Sequence, residues 1–193
     1  MPLSAEQFAE KLPDLHDGGR WVELEAGEVV VLDPPDDAHG NIVLNFSKAL
    51  AAYLAERRSD PPGYACFDVG LIVARGPDSV RRPAISFFTG AGMFRQTEEF
   101  ATETVPSLVI EAAASPRRRR TLAERIEAYH RHGIAHVWVA DPHDRLLHVC
   151  PRGGRSRRVS ERAVFTGEPV LSGFEILVAD VFAEPSWWRD ASP

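Results

Sequence analysis

Residues 108–114 read Leu-Val-Ile-Glu-Ala-Ala-Ala, and no other segment restricts the fold as strongly. A run this short and this apolar, preceded by Pro106, predicts a buried strand covered on both faces, at the centre of a sheet. It carries one ionisable side chain, Glu111, with no polar neighbour on either side. Burying a carboxylate is expensive unless it binds something, is protonated or meets a cation. Glu111 is therefore a functional ligand, the partner of an arginine, or a residue at a strand end that reaches solvent.

The pattern around this strand is that of an α/β protein. Ser4-Ala5-Glu6-Gln7 has the form of a capping box and predicts a helix to about Leu12. Trp21–Glu25 and Glu28–Leu32 alternate as two strands around Ala26-Gly27, an N-terminal hairpin. An Asp in Pro34-Pro35-Asp36-Asp37 can cap a long helix over about Ala38–Arg58, with Ile42, Val43, Phe46, Leu50 and Tyr53 on one stripe. Strands are expected near Ala65–Val69, Leu71–Ala74 and Pro83–Phe88, followed by the loop Thr89-Gly90-Ala91-Gly92. A second helix over about Thr121–Arg131 stops at Gly133, and Ile134–Ala140 and Arg145–Cys150 are further strands. The order implies a mixed central sheet flanked by helices.

The chain has 193 residues, enough for a single domain over 1–193 that buries ~70% of its unfolded surface. Two cysteines, Cys66 and Cys150, exclude a disulfide framework and suit a reducing compartment. No apolar run is long enough to span a membrane, and Glu6, Glu10 and Lys11 do not suit a secretion signal. A cytoplasmic protein is expected. Net charge is −6, but residues 115–162 hold 12 basic and 5 acidic residues. All of that positive charge is arginine, which suits phosphate. The plain alternative is an arginine-rich genome and a solvated face.

Other chemistry is excluded by spacing. His130, His132, His136, His143 and His148 are close in sequence but match no zinc pattern. Gly90-Ala91-Gly92 lacks the full dinucleotide fingerprint. Arg117–Arg120 follow the Glu111 strand directly, and would meet a nucleic-acid backbone if they rim the same cleft. Trp187 and Trp188, with Phe174 and Phe182, offer apolar surface that suits a homodimer.

The ordered segments WVELEAGEVVVLDPPDDAHGNIV, VRRPAISFF, PSLVIEAAASP, TLAERIEAYHRHGI and HVWVADP resemble the "putative restriction endonuclease" family, a bacterial group within the PD-(D/E)XK nuclease superfamily. The likeness runs over residues 21–182. It implies a restriction-endonuclease-like fold and Mg²⁺-dependent phosphodiester cleavage. There, carboxylates hold the metal and a lysine positions the attacking water.

Carried over residue by residue, the resemblance puts the metal-binding Glu on Glu111, the early hairpin Glu on Glu23 and the helix His on His39. The first metal carboxylate falls on Ala84 and the lysine on Arg125, so the two positions nearest the chemistry depart from the pattern. Ala84 cannot ligate a metal. Arg125 can touch phosphate but cannot give up a proton. Asp68 and Glu124 are candidate substitutes for the missing carboxylate. The expectation is a nuclease with a degenerate Mg²⁺ site, weakly active or inactive. The alternative is a non-catalytic nucleic-acid-binding or protein-interaction module.

Overall fold

The computed structural model describes residues 1–57, 63–90 and 100–189. Arg58, Ala91 and Gly92 lie outside the described residues, as does the Trp187 side chain.

Ser4 caps helix α1 (Ala5–Lys11) with the reciprocal capping box read from the sequence. Strands β1 (Val22–Glu25) and β2 (Glu28–Val31) pair as a hairpin, Glu25 opposite Glu28. Asp36 caps helix α2 (Asp37–Ala55), its carboxylate accepting from the His39 backbone N–H at 2.8 Å. Next come β3 (Gly63–Phe67), β4 (Gly70–Ala74), β5 (Ser79–Arg81), β6 (Ile85–Thr89), β7 (Ala101–Thr102) and β8 (Leu108–Ala112). Two helices follow, α3 (Pro116–Arg120) and α4 (Leu122–His132), the second stopped by Gly133 in the left-handed region. Strands β9 (His136–Asp141), β10 (Leu146–Pro151), β11 (Arg157–Ser160), β12 (Val164–Thr166) and β13 (Glu175–Leu177) lead to the short helices α5 (Val178–Val181) and α6 (Ser186–Arg189).

The main sheet has six strands in the order β11-β10-β9-β8-β6-β3, with β8 and β9 parallel and the other pairs antiparallel. The predicted central strand is thus β8, all five of whose residues are buried. On one face, Leu108, Ile110 and Ala112 join a core with Ile42, Phe46 and Trp138 under α2. On the other, Val109 and Ala113 join Tyr129 of α4 and Leu71 and Val73 of β4. Alternation along a strand sends Glu111 to this α4 face.

The N-terminal hairpin lies outside the main sheet. It joins a second sheet, β2-β1-β5-β4-β7, in which β1 pairs with β5 at Leu24 and Val80. Val22 and Leu24 pack with Phe8 of α1, which leaves Glu23 on the opposite face of β1. The three-residue β5 and two-residue β7 are too short to show a period, which is why the sequence pattern misses them. Phe174 and Phe182, expected as interface surface, are buried in the main core beside Trp138.

Candidate functional site

Five elements meet at one buried polar cluster. Glu23 comes from β1, Glu111 from β8, Arg125 and Tyr129 from α4, Arg118 from α3 and Arg81 from β5. Arg125 and Tyr129 are four residues apart, so they share a helix face and point at the sheet together. Glu23, Glu111, Arg125 and Tyr129 are all at most 2% exposed.

Arg125 is the centre. Its Nη1 and Nη2 donate to the two carboxylate oxygens of Glu23 at 2.6 and 2.9 Å. Its Nε and Nη2 donate to Glu111 Oε1 at 3.0 and 2.8 Å. The Tyr129 hydroxyl donates to the same oxygen. Arg118 Nη1 reaches the other Glu111 oxygen at 3.2 Å. On Glu23, Oε1 also accepts the Arg82 backbone N–H at 2.7 Å, and Oε2 accepts from Arg81 Nη1 at 3.2 Å. Arg81 bonds outward to the half-exposed Glu25 as well.

The ionic balance is closed, while among the cluster's donors Arg81 Nε is buried without a partner among the described residues. Glu23, Glu25 and Glu111 face Arg81, Arg118 and Arg125, three charges against three. A carboxylate offers about four lone-pair directions. Glu23 and Glu111 each accept four hydrogen bonds. Burial pushes the Glu23 carboxyl up, but the Arg125 charge and hydrogen bonds, the Arg81 charge and the Arg82 N–H outweigh it and hold the group at about 2. Burial would lower Arg125, yet Glu111 and Glu23 leave it well above the ordinary guanidinium value.

Mg²⁺ prefers oxygen ligands with free lone pairs. Here Glu23 accepts two donors on each oxygen, Glu111 accepts three on Oε1 and one on Oε2, and the guanidinium groups of Arg81, Arg118 and Arg125 supply the charge that a dication would otherwise supply. The donor set does not fit the metal that the resemblance implies. Among the described residues no group of three or more His, Cys, Asp or Glu is placed to hold a metal ion.

The remaining sequence candidates fall around this cluster. Ala84 lies one residue before the Ile85–Ile110 pair that joins β6 to β8, so the expected adjacency to the Glu111 strand is present. Its side chain, however, is buried with the apolar core that holds Ile42 and Ile110. His39 and Asp68 line a small cavity of about 20 Å³ with Arg82, Ser115 and Arg118. The same two residues also border a larger, open groove of about 670 Å³ with Trp21, Phe67 and Pro185. Burial, then the Arg118 charge, lowers the His39 pKa, against the opposing pull of Asp68, Glu111 and Asp36. Glu124 is exposed on α4. The arginine run is a helical turn rather than a loop, capped by Ser115 Oγ on the Arg118 N–H at 3.2 Å. Arg117 donates to the Val31 carbonyl and Arg118 to Glu111, leaving Arg120 as the exposed member.

The residues that sequence reasoning missed are Tyr129, Arg81 and the inward role of Arg118. The spacing of Arg125 and Tyr129 on α4 was a usable signal for the first. Arg81 had none, because its strand has three residues.

A solved structure has the same fold. The crystal structure titled as a "putative nuclease belonging to DUF820", from Anabaena variabilis, is 18% identical and superposes with a TM-score of 0.75. The alignment covers 94% of this chain and 98% of that one. No curated protein sequence matches. No helix among the described residues is long and apolar enough to cross a membrane. A family model matches residues 5–180, well over half of the chain, and on that match the protein belongs to the Uma2 family, "Putative restriction endonuclease".

Proposed function

We propose that this chain is a nuclease-family protein whose metal centre has been replaced by a guanidinium bridge, and that it does not hydrolyse phosphodiesters with Mg²⁺. The observation that carries the reading is Arg125 donating to Glu23 and Glu111 at once. Arginine at this position supplies a permanent positive charge where a metal nuclease needs a dication and a group able to orient or activate water. Losing proton-transfer help alone costs ~10²–10⁴ in rate. What remains is a nuclease-like scaffold held rigid by ion pairs, suited to binding rather than cleavage.

Removing the bridge tests this. Arg125→Lys withdraws the guanidinium fork from Glu23 and Glu111 and puts in its place a group that can position water. In calorimetry the folded variant should bind Mn²⁺ more tightly than the unaltered chain, and Glu111→Gln should remove that gain. In a plasmid-nicking assay with Mn²⁺ the unaltered protein should not cut. Cleavage by the unaltered protein that Glu111→Gln abolishes would overturn the proposal. So would a folded Arg125→Lys variant whose Mn²⁺ affinity equals that of the unaltered chain.

A further inference from the structure

The basic half of the chain has two structural fates. Arg118 and Arg125 are turned inward onto Glu111 and Glu23. The larger exposed group sits elsewhere, on the hairpin that joins β10 to the edge strand β11. Residues 152–158 read Arg-Gly-Gly-Arg-Ser-Arg-Arg, and all seven are exposed. Among the described residues, none of Arg152, Arg155, Arg157 and Arg158 forms an ion pair with a carboxylate; the nearby Glu161 is taken by Arg145.

The turn is a built feature. Gly154 N–H closes on the Pro151 carbonyl at 3.3 Å. Gly153 has φ of +71°, and a Cβ at Gly154 would meet Pro151 Cγ at 2.8 Å. Both positions therefore favour glycine, and the turn puts Arg152 and Arg155 on its two sides. On β11, Val159 faces the core under α2, so Arg157 lies on that face and Arg158 on the other. The Arg157 guanidinium rests 5.5 Å from the Phe165 ring centroid. The four cations thus straddle one sheet edge.

This edge is remote from the buried cluster. Pro151 pairs with His136 at the start of β9, whereas Glu111 pairs with Val139 three residues further along. The hairpin lies at the opposite strand ends, two strands over.

We infer that the β10–β11 hairpin is a nucleic-acid backbone-binding surface, separate from the Glu111 cluster. The ligand chemistry is phosphate diester: guanidinium groups bind phosphate oxygens in a fork, and a row of them on an extended edge matches a repeating anion. A membrane surface is disfavoured because residues 152–158 contain no apolar side chain to enter it. Base reading is not implied, since backbone contacts carry no sequence information. Charged residues also serve to keep an edge strand from pairing with other chains. That role alone would give no salt-dependent affinity for DNA. The inference goes beyond the loss of the metal centre and does not depend on it.

The test is fluorescence anisotropy with a labelled DNA duplex of mixed sequence across a salt series. Arg155→Ser, Arg157→Ser and Arg158→Ser are combined in one variant, Arg119→Ser and Arg120→Ser in another. Each phosphate contact contributes about 0.9 to the log–log salt slope. The hairpin variant should lose about 2–3 from that slope and bind at least about tenfold more weakly. The rim variant should stay near the unaltered chain. Arg155→Ser alone, at an exposed turn, should lose about 0.9 and serves if the triple variant does not fold. No DNA binding by the unaltered chain would overturn the inference, as would an unchanged slope in the hairpin variant. Loss confined to the rim variant, or capture of phosphatidylserine vesicles in place of DNA, would overturn it too.

Discussion

Replacing Arg125 with methionine keeps the length of its stem and removes its charge and donors. Glu23 and Glu111 would then face each other in a buried site. Breaking a buried ion pair by deleting one partner typically costs about 3–5 kcal/mol. The residual partners keep the cost in that range rather than doubling it: Glu23 retains Arg81 and the Arg82 N–H, and Glu111 retains Arg118 and Tyr129. An ordinary domain is stable by about 5–15 kcal/mol, so the variant should still fold.

The pH dependence gives a sharper signature. The Glu23 carboxyl is depressed from 4.5 to about 2 in the folded chain. A depressed carboxyl adds stability above its unfolded value that is lost as pH falls through the folded one. Here that amounts to about 3 kcal/mol, present above pH 4.5 and disappearing toward pH 2. Without Arg125 the carboxyl is pushed up by burial instead, and protonation relieves the variant. Urea unfolding at pH 7 and pH 3 should therefore show a gap between the two proteins that narrows by about 2 kcal/mol on acidification. A gap below about 1 kcal/mol at pH 7 would refute the claim that Arg125 neutralises both carboxylates. So would a gap that does not change with pH.

Tyr129→Phe should remove one donor from Glu111 and cost about 1–3 kcal/mol in urea unfolding, with no change in helix content by circular dichroism. Ser115→Ala removes the cap of α3 and the anchor that aims Arg118, and should lower the thermal midpoint by an amount equivalent to about 1 kcal/mol. Asp36→Ala should cost a similar ~0.5–2 kcal/mol through the lost α2 cap, read by the same thermal scan.

Much of the fold could be read from the sequence because the decisive segments are long or strongly patterned. The Ser4 capping box, the Asp36 cap and apolar stripe of α2 and the apolar β8 run each announce themselves locally. Four of the cluster residues were also legible, but not their bonding. Glu111 stood out because a lone carboxylate in an apolar strand needs a partner, and the partner proved to be Arg125. That Glu23 completes the pair depends on how the second sheet packs against α4, which no local pattern encodes. Four consecutive arginines likewise do not say which one turns inward; the helical turn of α3 and its Ser115 cap decide that it is Arg118. A run read as one basic face is in fact divided between the cluster, a backbone carbonyl and solvent.

The most direct test of the guanidinium bridge is a Mn²⁺ titration followed through the Arg125 Nε–H resonance in ¹⁵N-labelled protein. That proton is bonded to Glu111 and buried, so it should be protected from solvent exchange. If Arg125 holds the position between Glu23 and Glu111, the resonance should persist unbroadened as Mn²⁺ is added, with no saturable binding in parallel calorimetry. Selective paramagnetic broadening of that resonance at a one-to-one metal ratio would place the ion beside Glu111 and contradict the account.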